Sequence, residues 1–219
     1  MRERLTKLKK LSKLYELNDR GVVYWSGFAA ESSAPIEANS AEIHEMIPQC
    51  QLCRLAKVRE NALAMSLSAA PKIMIVVDEP SAHENQAGRW FVGTGGEMLQ
   101  NMIERGMRLT LDDVCVTAAV KCHSAGGAGG DELMRCKPYL VAEIEDVKPA
   151  VILALGDRAF FAITGVPEKI EAAREKIWSY GDRKIPVVAS FSIAYLRLNP
   201  SAKKAAMNDL QLALSKVCR

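Results

Sequence analysis

Two groups of residues in this chain have the types and spacing to do chemistry. The first is a run of acids, Asp78, Glu79 and Glu84, set around Pro80 directly behind the apolar stretch Ile73–Val77. Carboxylates at the end of a buried strand are suited to general acid–base work or to orienting a water, because burial perturbs their proton affinity. In a solvated loop the same acids would do no more than keep the loop soluble. The second group is cysteine. Cys50 and Cys53 form C-x-x-C, and Cys122 and Cys136 follow far downstream, with thirteen residues between them that include the glycines of Gly126–Gly130. Four thiolates brought together by a fold suit tetrahedral zinc or a [4Fe–4S] cluster. A lone C-x-x-C also fits a redox pair, and Cys122 and Cys136 also fit ordinary buried thiols. Cys115, inside an apolar run, and Cys218, beside the terminus, read as non-ligands.

The elements that must position these groups can be read from periodicity. Ile73–Val77, Val114–Val120, Val151–Leu155 and Ile185–Ala189 are short β-branched runs of the kind buried in parallel sheets. Between them lie helical patterns: one from Ala41 to the C-x-x-C, one from Glu97 to Gly106, one over 131–146 and one over Ala159–Ile163. A last helix is expected from Ser201, as N-cap, to Val217. Residues 78–84 read as a loop, with Gly88, Gly93, Gly95 and Gly96 leading out of it. The expectation is one three-layer α/β/α domain over 41–219, with a mostly parallel four-stranded sheet and its site beyond the carboxyl ends of the strands. Residues 1–40 read as a basic helical extension and linker, with leucines at helical spacing (Leu5, Leu8, Leu11, Leu14) among six Lys and Arg residues. That basic face fits a phosphate-binding arm or a merely solvated helix.

With 219 residues, 49% of them hydrophobic, the chain can bury a sizeable core, and a net charge of +3 excludes no partner class. No apolar run is long enough to span a membrane, and the basic start lacks the apolar segment of a secretory signal. The expected location is the cytoplasm, as a monomer, where six cysteines do not form a disulfide framework.

Four segments, in order, resemble the iron–sulfur uracil-DNA glycosylases, family 4 of the uracil-DNA glycosylase superfamily. Cys50-Gln-Leu-Cys53 is similar to that family's first cluster pair. Asp78 to Leu99 resembles its catalytic motif, G-E-A-P-G-x-x-E-D followed by G-x-P-F-V-G-x-A-G. Val116 to Cys136, continued by Lys137-Pro138-Tyr139-Leu140, resembles I-T-N-V-V-K-C…C-x-P-F-L. Lys148-Pro149-Ala150-Val151-Ile152-Leu153-Ala154-Leu155-Gly156 resembles the strand K-P-x-x-I-x-x-L-G. The resemblance implies a structural [4Fe–4S] cluster on Cys50, Cys53, Cys122 and Cys136. It also implies hydrolysis of the N-glycosidic bond of uracil, or another damaged base, flipped out of DNA.

Carried over position by position, the resemblance puts the water-orienting glutamate at Asp78, one methylene shorter, and the second motif acid at Glu84. The flanking glycines fall on Val77 and Ser81, and the stacking phenylalanine is Phe91. The asparagine that reads uracil's amide edge falls on Ala118, which can neither donate nor accept. The histidine that donates to uracil O2 falls on Ser192, a weaker donor on a shorter arm. The expected catalytic set is Asp78, Glu84 and Ser192, and the expected base-binding set is Phe91, Val77 and Ala118. The altered positions leave a second reading open, an iron–sulfur protein of the same fold that binds DNA or a partner without excising a base.

Overall fold

The computed structural model describes residues 40–66, 68 and 71–217. The extension expected over 1–40 lies, but for Ser40, outside them. Five strands form one sheet in the order β2-β1-β3-β5-β4: β1 (Ile73–Val77), β2 (Val114–Ala118), β3 (Val151–Leu155), β4 (Ile177–Tyr180) and β5 (Ile185–Ser190). Four are parallel, and β4 is an antiparallel edge paired to β5.

The runs that form β1, β2 and β3 are buried throughout, as strands covered on both faces must be, even though β2 lies at an edge of the sheet. Their side chains divide by parity. Met74, Val76, Cys115, Ile152 and Ala154 enter one apolar cluster, and Ile73, Ile75, Val77, Val116, Ala118, Leu153 and Leu155 enter the other. Helices cover both faces: α1 (Ser40–Gln49), α2 (Ala82–Ala87), α3 (Gly93–Asn101), α4 (Gly130–Val147), α5 (Asp157–Thr164), α6 (Ile170–Ala173), α7 (Ile193–Leu198) and α8 (Lys203–Val217). A π-type turn, Met102–Met107, extends α3.

The fold corrects the sequence reading at several points. The fifth strand, β4, is four residues long with alternate residues exposed, too short and too polar for a buried-strand pattern. Trp178 anchors it, edge-on to Phe160 with ring centroids 5.1 Å apart. The loop expected over 78–84 turns into α2 at Ala82, because Ser81 and Glu84 form a reciprocal capping box. Helix α3 begins at Gly93 rather than Glu97, so Gly95 and Gly96 lie inside its first turn. Cys50 and Cys53 sit in a bend after α1, not on a helical turn, with Cys53 at the head of a short 3₁₀ turn, Arg54–Lys57. The last helix starts at Lys203, behind a 3₁₀ turn opened by Asn199, so Ser201 is not its cap. The helix α7 is an addition to the elements expected from sequence.

The connection from β1 leads outward to β2, whereas that from β3 leads the other way, toward β5. The crevice between the carboxyl ends of β1 and β3 is thus the topological switch point, where open α/β sheets bind their ligands. Register aligns Ala118, Val77, Leu155 and Ser190 in one row across the sheet. The next residues along the chain are Ala119, Asp78, Gly156 and Phe191.

Candidate active site

A cavity of about 320 Å³ opens at the switch point, lined by Asp78, Gly156, Arg158, Phe191, Ser192 and Tyr195 among others, at the small end of ligand-binding clefts. Asp78 comes from the end of β1. Its Oδ1 accepts the Ala159 N–H at 2.9 Å, at the start of α5. Burial pushes the carboxyl up to about 6, while the Ala159 and Arg158 backbone N–H groups and the Arg158 charge pull the other way. Gly156, at φ +118°, lies flat against this carboxyl. A Cβ there would stand 2.3 Å from Asp78 Oδ2, so only glycine lets the acid and the β3–α5 turn meet. The neighbouring Glu79 is also raised by burial, and its Oε2 accepts the Ala128 N–H at 2.9 Å from the glycine-rich loop.

Ser192 closes the opposite side as the N-cap of α7, its Oγ accepting the Tyr195 N–H at 3.2 Å. The hydroxyl proton remains available to a ligand. Ser192 is held by a stack and a buried ion pair that the sequence did not reveal. Tyr195 lies parallel on Phe191, with centroids 4.8 Å apart and planes 14° apart. The Arg174 guanidinium sits 4.6 Å from the centre of the Phe191 ring. Arg174 forks onto the buried Asp209 (2.8 and 2.9 Å), which also accepts from Ser190 Oγ at 2.6 Å. Two residues before Ser192 the chain is therefore fixed from below.

Glu84 is buried, and both of its oxygens are engaged. Oε2 accepts from Ser81 N–H and Oγ at 2.9 and 2.8 Å, and Oε1 accepts from Phe91 N–H at 3.2 Å. Its contacts are those of a positioning group rather than of a free acid. Phe91 needs that support, because it holds φ at +64°, a costly conformation for an aromatic residue. Gly96 completes the seat. A Cβ on it would lie 2.5 Å from the Phe91 carbonyl carbon.

Phe91, Val77 and Ala118 do not line the cavity. They share the adjoining apolar cluster with Ile193, the residue after Ser192, on one face of the sheet. Ala118 is fully buried, and its carbonyl accepts from Lys121 Nζ at 2.8 Å. Lys121 is itself buried and pairs with Glu143 at 2.6 Å, beneath β2.

The four candidate cysteines converge on the other face. Cys122 and Cys136 are buried in the larger apolar cluster, and Cys50 and Cys53 pack against it, brought there by α1 lying on α4. Lys121 N–H points to Cys136 Sγ at 3.2 Å, and Arg59 reaches Cys122 Sγ at 3.4 Å while bonding the Cys50 carbonyl at 2.7 Å. Burial, aided by the nearby Cys122 and Cys50 sulfurs, pushes the Cys136 thiol up to about 12 against the opposing Lys121 charge and N–H. Cys115 lies apart from this group, inside β2. Among the described residues, no three His, Cys, Asp or Glu side chains are gathered in the arrangement a single metal ion requires.

The model of the uracil DNA glycosylase superfamily matches residues 65–211. A type-4 uracil-DNA glycosylase of Saccharolobus solfataricus is 30% identical over 177 residues, 77% of this chain and 82% of that protein. One from Thermotoga maritima is 30% identical over 79% of this chain and 92% of its own length. A type-5 uracil-DNA glycosylase of Pyrobaculum aerophilum is 30% identical over 58% of this chain and 63% of its own. The chain belongs to the uracil-DNA glycosylase superfamily, and within it to the family-4, type-4 group. No helix among the described residues is long and apolar enough to cross a membrane.

Proposed function

We propose that this protein hydrolyses the N-glycosidic bond between a deaminated base, uracil first, and deoxyribose in DNA. The observation that carries the reading is that Asp78 and Ser192 line one cavity at the switch point, the place where open α/β sheets bind their ligands. In this reading the base is turned out of the duplex into the crevice. Asp78, through the oxygen not held by Ala159, orients the attacking water on C1′ and takes its proton. Ser192 O–H donates toward the departing base. Phe91, fixed in its strained conformation by Glu84 and Gly96 in the apolar cluster beside the cavity, would meet the base face only where the bound base reaches past the cavity wall, and such stacking suits any base.

The residues around Cys50, Cys53, Cys122 and Cys136 fit a [4Fe–4S] cluster, and we assign it to them. The soft sulfur donors lie in or against one apolar cluster, and the Lys121 N–H and Arg59 guanidinium are aimed at sulfurs that would carry negative charge. Bound there, a cluster would contribute cross-linking, tying the 50–53 bend to the segment after β2 through Cys122 and to α4 through Cys136. Purified anaerobically, the protein is expected to be brown with stoichiometric iron and sulfide, and Cys136→Ala to be colourless. Zinc in place of iron, or a well-folded colourless wild type, contradicts the assignment.

The activity is tested on single- and double-stranded oligonucleotides carrying uracil, hypoxanthine or xanthine, with iron-replete protein. Release of the free base, lost in Asp78→Ala, supports the proposal. DNA binding without release of any base supports instead the second reading, which Ala118 and Ser192 favour: a glycosylase fold kept as a binding module.

A further inference from the structure

The departing base carries negative charge on N1 and O2, and a preorganised donor or cation is worth most at that point. Ser192 supplies one neutral hydroxyl, whose oxygen is already committed to Tyr195 N–H. Two cations line the same cavity, Arg158 and Lys169. Lys169 is tied off, its Nζ held 3.0 Å from Asp157 Oδ2. Arg158, on the first turn of α5, gives its backbone N–H to Asp78, but its guanidinium makes no hydrogen bond or ion pair with any described residue, although its charge is felt by Asp78 and Glu79. It is half-buried, so its field is weakly screened.

The glycine-rich loop is cut away to admit it. At Gly127, with φ +80°, a Cβ would stand 2.3 Å from Arg158 Nη2. The loop backbone thus backs the guanidinium, and no side chain of that residue screens it. An arginine whose guanidinium donors no described residue claims, seated at a cavity wall beside the water-orienting acid, is placed to receive an anion.

We propose that Arg158 is a catalytic residue of this site, donating to O2 of the base as it leaves. The proposal rests on the glycosylase reading given above. In the step, the C1′–N1 bond breaks with its electron pair passing to the base, where charge spreads to O2. Water oxygen bonds to C1′, and its proton goes to the Asp78 carboxylate. The guanidinium keeps its protons throughout, and the base is protonated afterwards by solvent. Arg158 thereby takes over the electrostatic part of the task that the family resemblance gives to a histidine and that Ser192 performs only in part.

The test is single-turnover excision of uracil and of 5-fluorouracil from the same single-stranded sequence by wild type, Arg158→Met and Arg158→Lys. Fluorine stabilises the base anion by itself, so a lost cation matters less for 5-fluorouracil. Arg158→Met is expected to slow uracil release by about 10²-fold and 5-fluorouracil release by about tenfold or less, with Arg158→Lys between wild type and Met. Equal slowing of both bases, with or without weaker DNA binding, overturns the proposal and marks Arg158 as a phosphate contact or a structural residue. Undiminished rates in Arg158→Met overturn it as well. A wild type that releases neither base overturns the glycosylase reading and this inference together, whereas the first two results leave that reading standing.

Discussion

Replacing Asp78 by Asn should separate stability from activity. The carboxyl's ordinary value is 3.8, and burial raises it to about 6 in the folded protein. The native state therefore holds this proton more tightly than the unfolded chain does. The ionised carboxylate costs nothing below about pH 4, an increasing amount between about 4 and 6, and a constant amount above. At 1.36 kcal/mol per pKa unit, the interval from 3.8 to about 6 corresponds to about 3 kcal/mol at pH 7.5. Asparagine keeps an oxygen for the Ala159 N–H and removes the charge, so Asp78→Asn should be more stable than wild type at neutral pH by up to about 3 kcal/mol. Urea unfolding at pH 7.5 and pH 4 measures this, and the two proteins should converge at the lower pH. Uracil excision should move the opposite way, falling by about 10²-fold or more in the variant. In wild type it should climb about tenfold per pH unit below about 6 and level off above, as the carboxylate forms. A variant that is less stable at pH 7.5, or a gain that persists at pH 4, refutes the reasoning, because either result means the Asp78 charge is not desolvated.

Three further outcomes follow from the packing. Gly156→Ala puts a methyl 2.3 Å from Asp78 Oδ2 at φ +118°, so it should cost about 1–3 kcal/mol in backbone strain and displace the acid, seen as a lower Tm together with lost excision. Lys121→Met leaves Glu143 buried and unpaired and should cost about 3–5 kcal/mol in urea unfolding, whereas Lys121→Met with Glu143→Leu should recover most of that. Ala118→Asn places an amide in a fully buried apolar position, costing about 1–3 kcal/mol in the free protein, yet it should raise the single-turnover rate on uracil relative to hypoxanthine. An unchanged ratio would show that Ala118 does not face the base.

How much of this could be read from residues alone depends on where the information lay. Strands β1, β2 and β3 announced themselves, because burial on both faces demands unbroken apolar runs, and β1 and β3 fall at the residues expected. Strand β4 did not, because an edge strand buries one face and needs only Trp178 to hold it. The Ser81–Glu84 capping box was written in the sequence but was hidden by the loop-like composition around Pro80. Asp78 and Ser192 were legible as motif positions, and the fold brings them to one cavity. Phe91 and Ala118 were legible in the same way, yet they sit beside the cavity in the apolar cluster. Arg158 and the Arg174–Asp209–Ser190 network carried no local signal. Their meaning comes from contacts between elements far apart in the chain, such as Arg174 and Asp209, 35 positions apart.

The central claim is that the switch-point crevice removes uracil from DNA through Asp78. The most direct measurement is a single-turnover assay on a single-stranded oligonucleotide with one uracil, scoring free uracil and the alkali-labile abasic site for wild type and Asp78→Asn side by side. The account predicts both products in wild type, and at least a hundredfold slower appearance in a variant that is folded and at least as stable. Equal rates in the two proteins, or no abasic site from iron-replete wild type that binds the oligonucleotide, would contradict it.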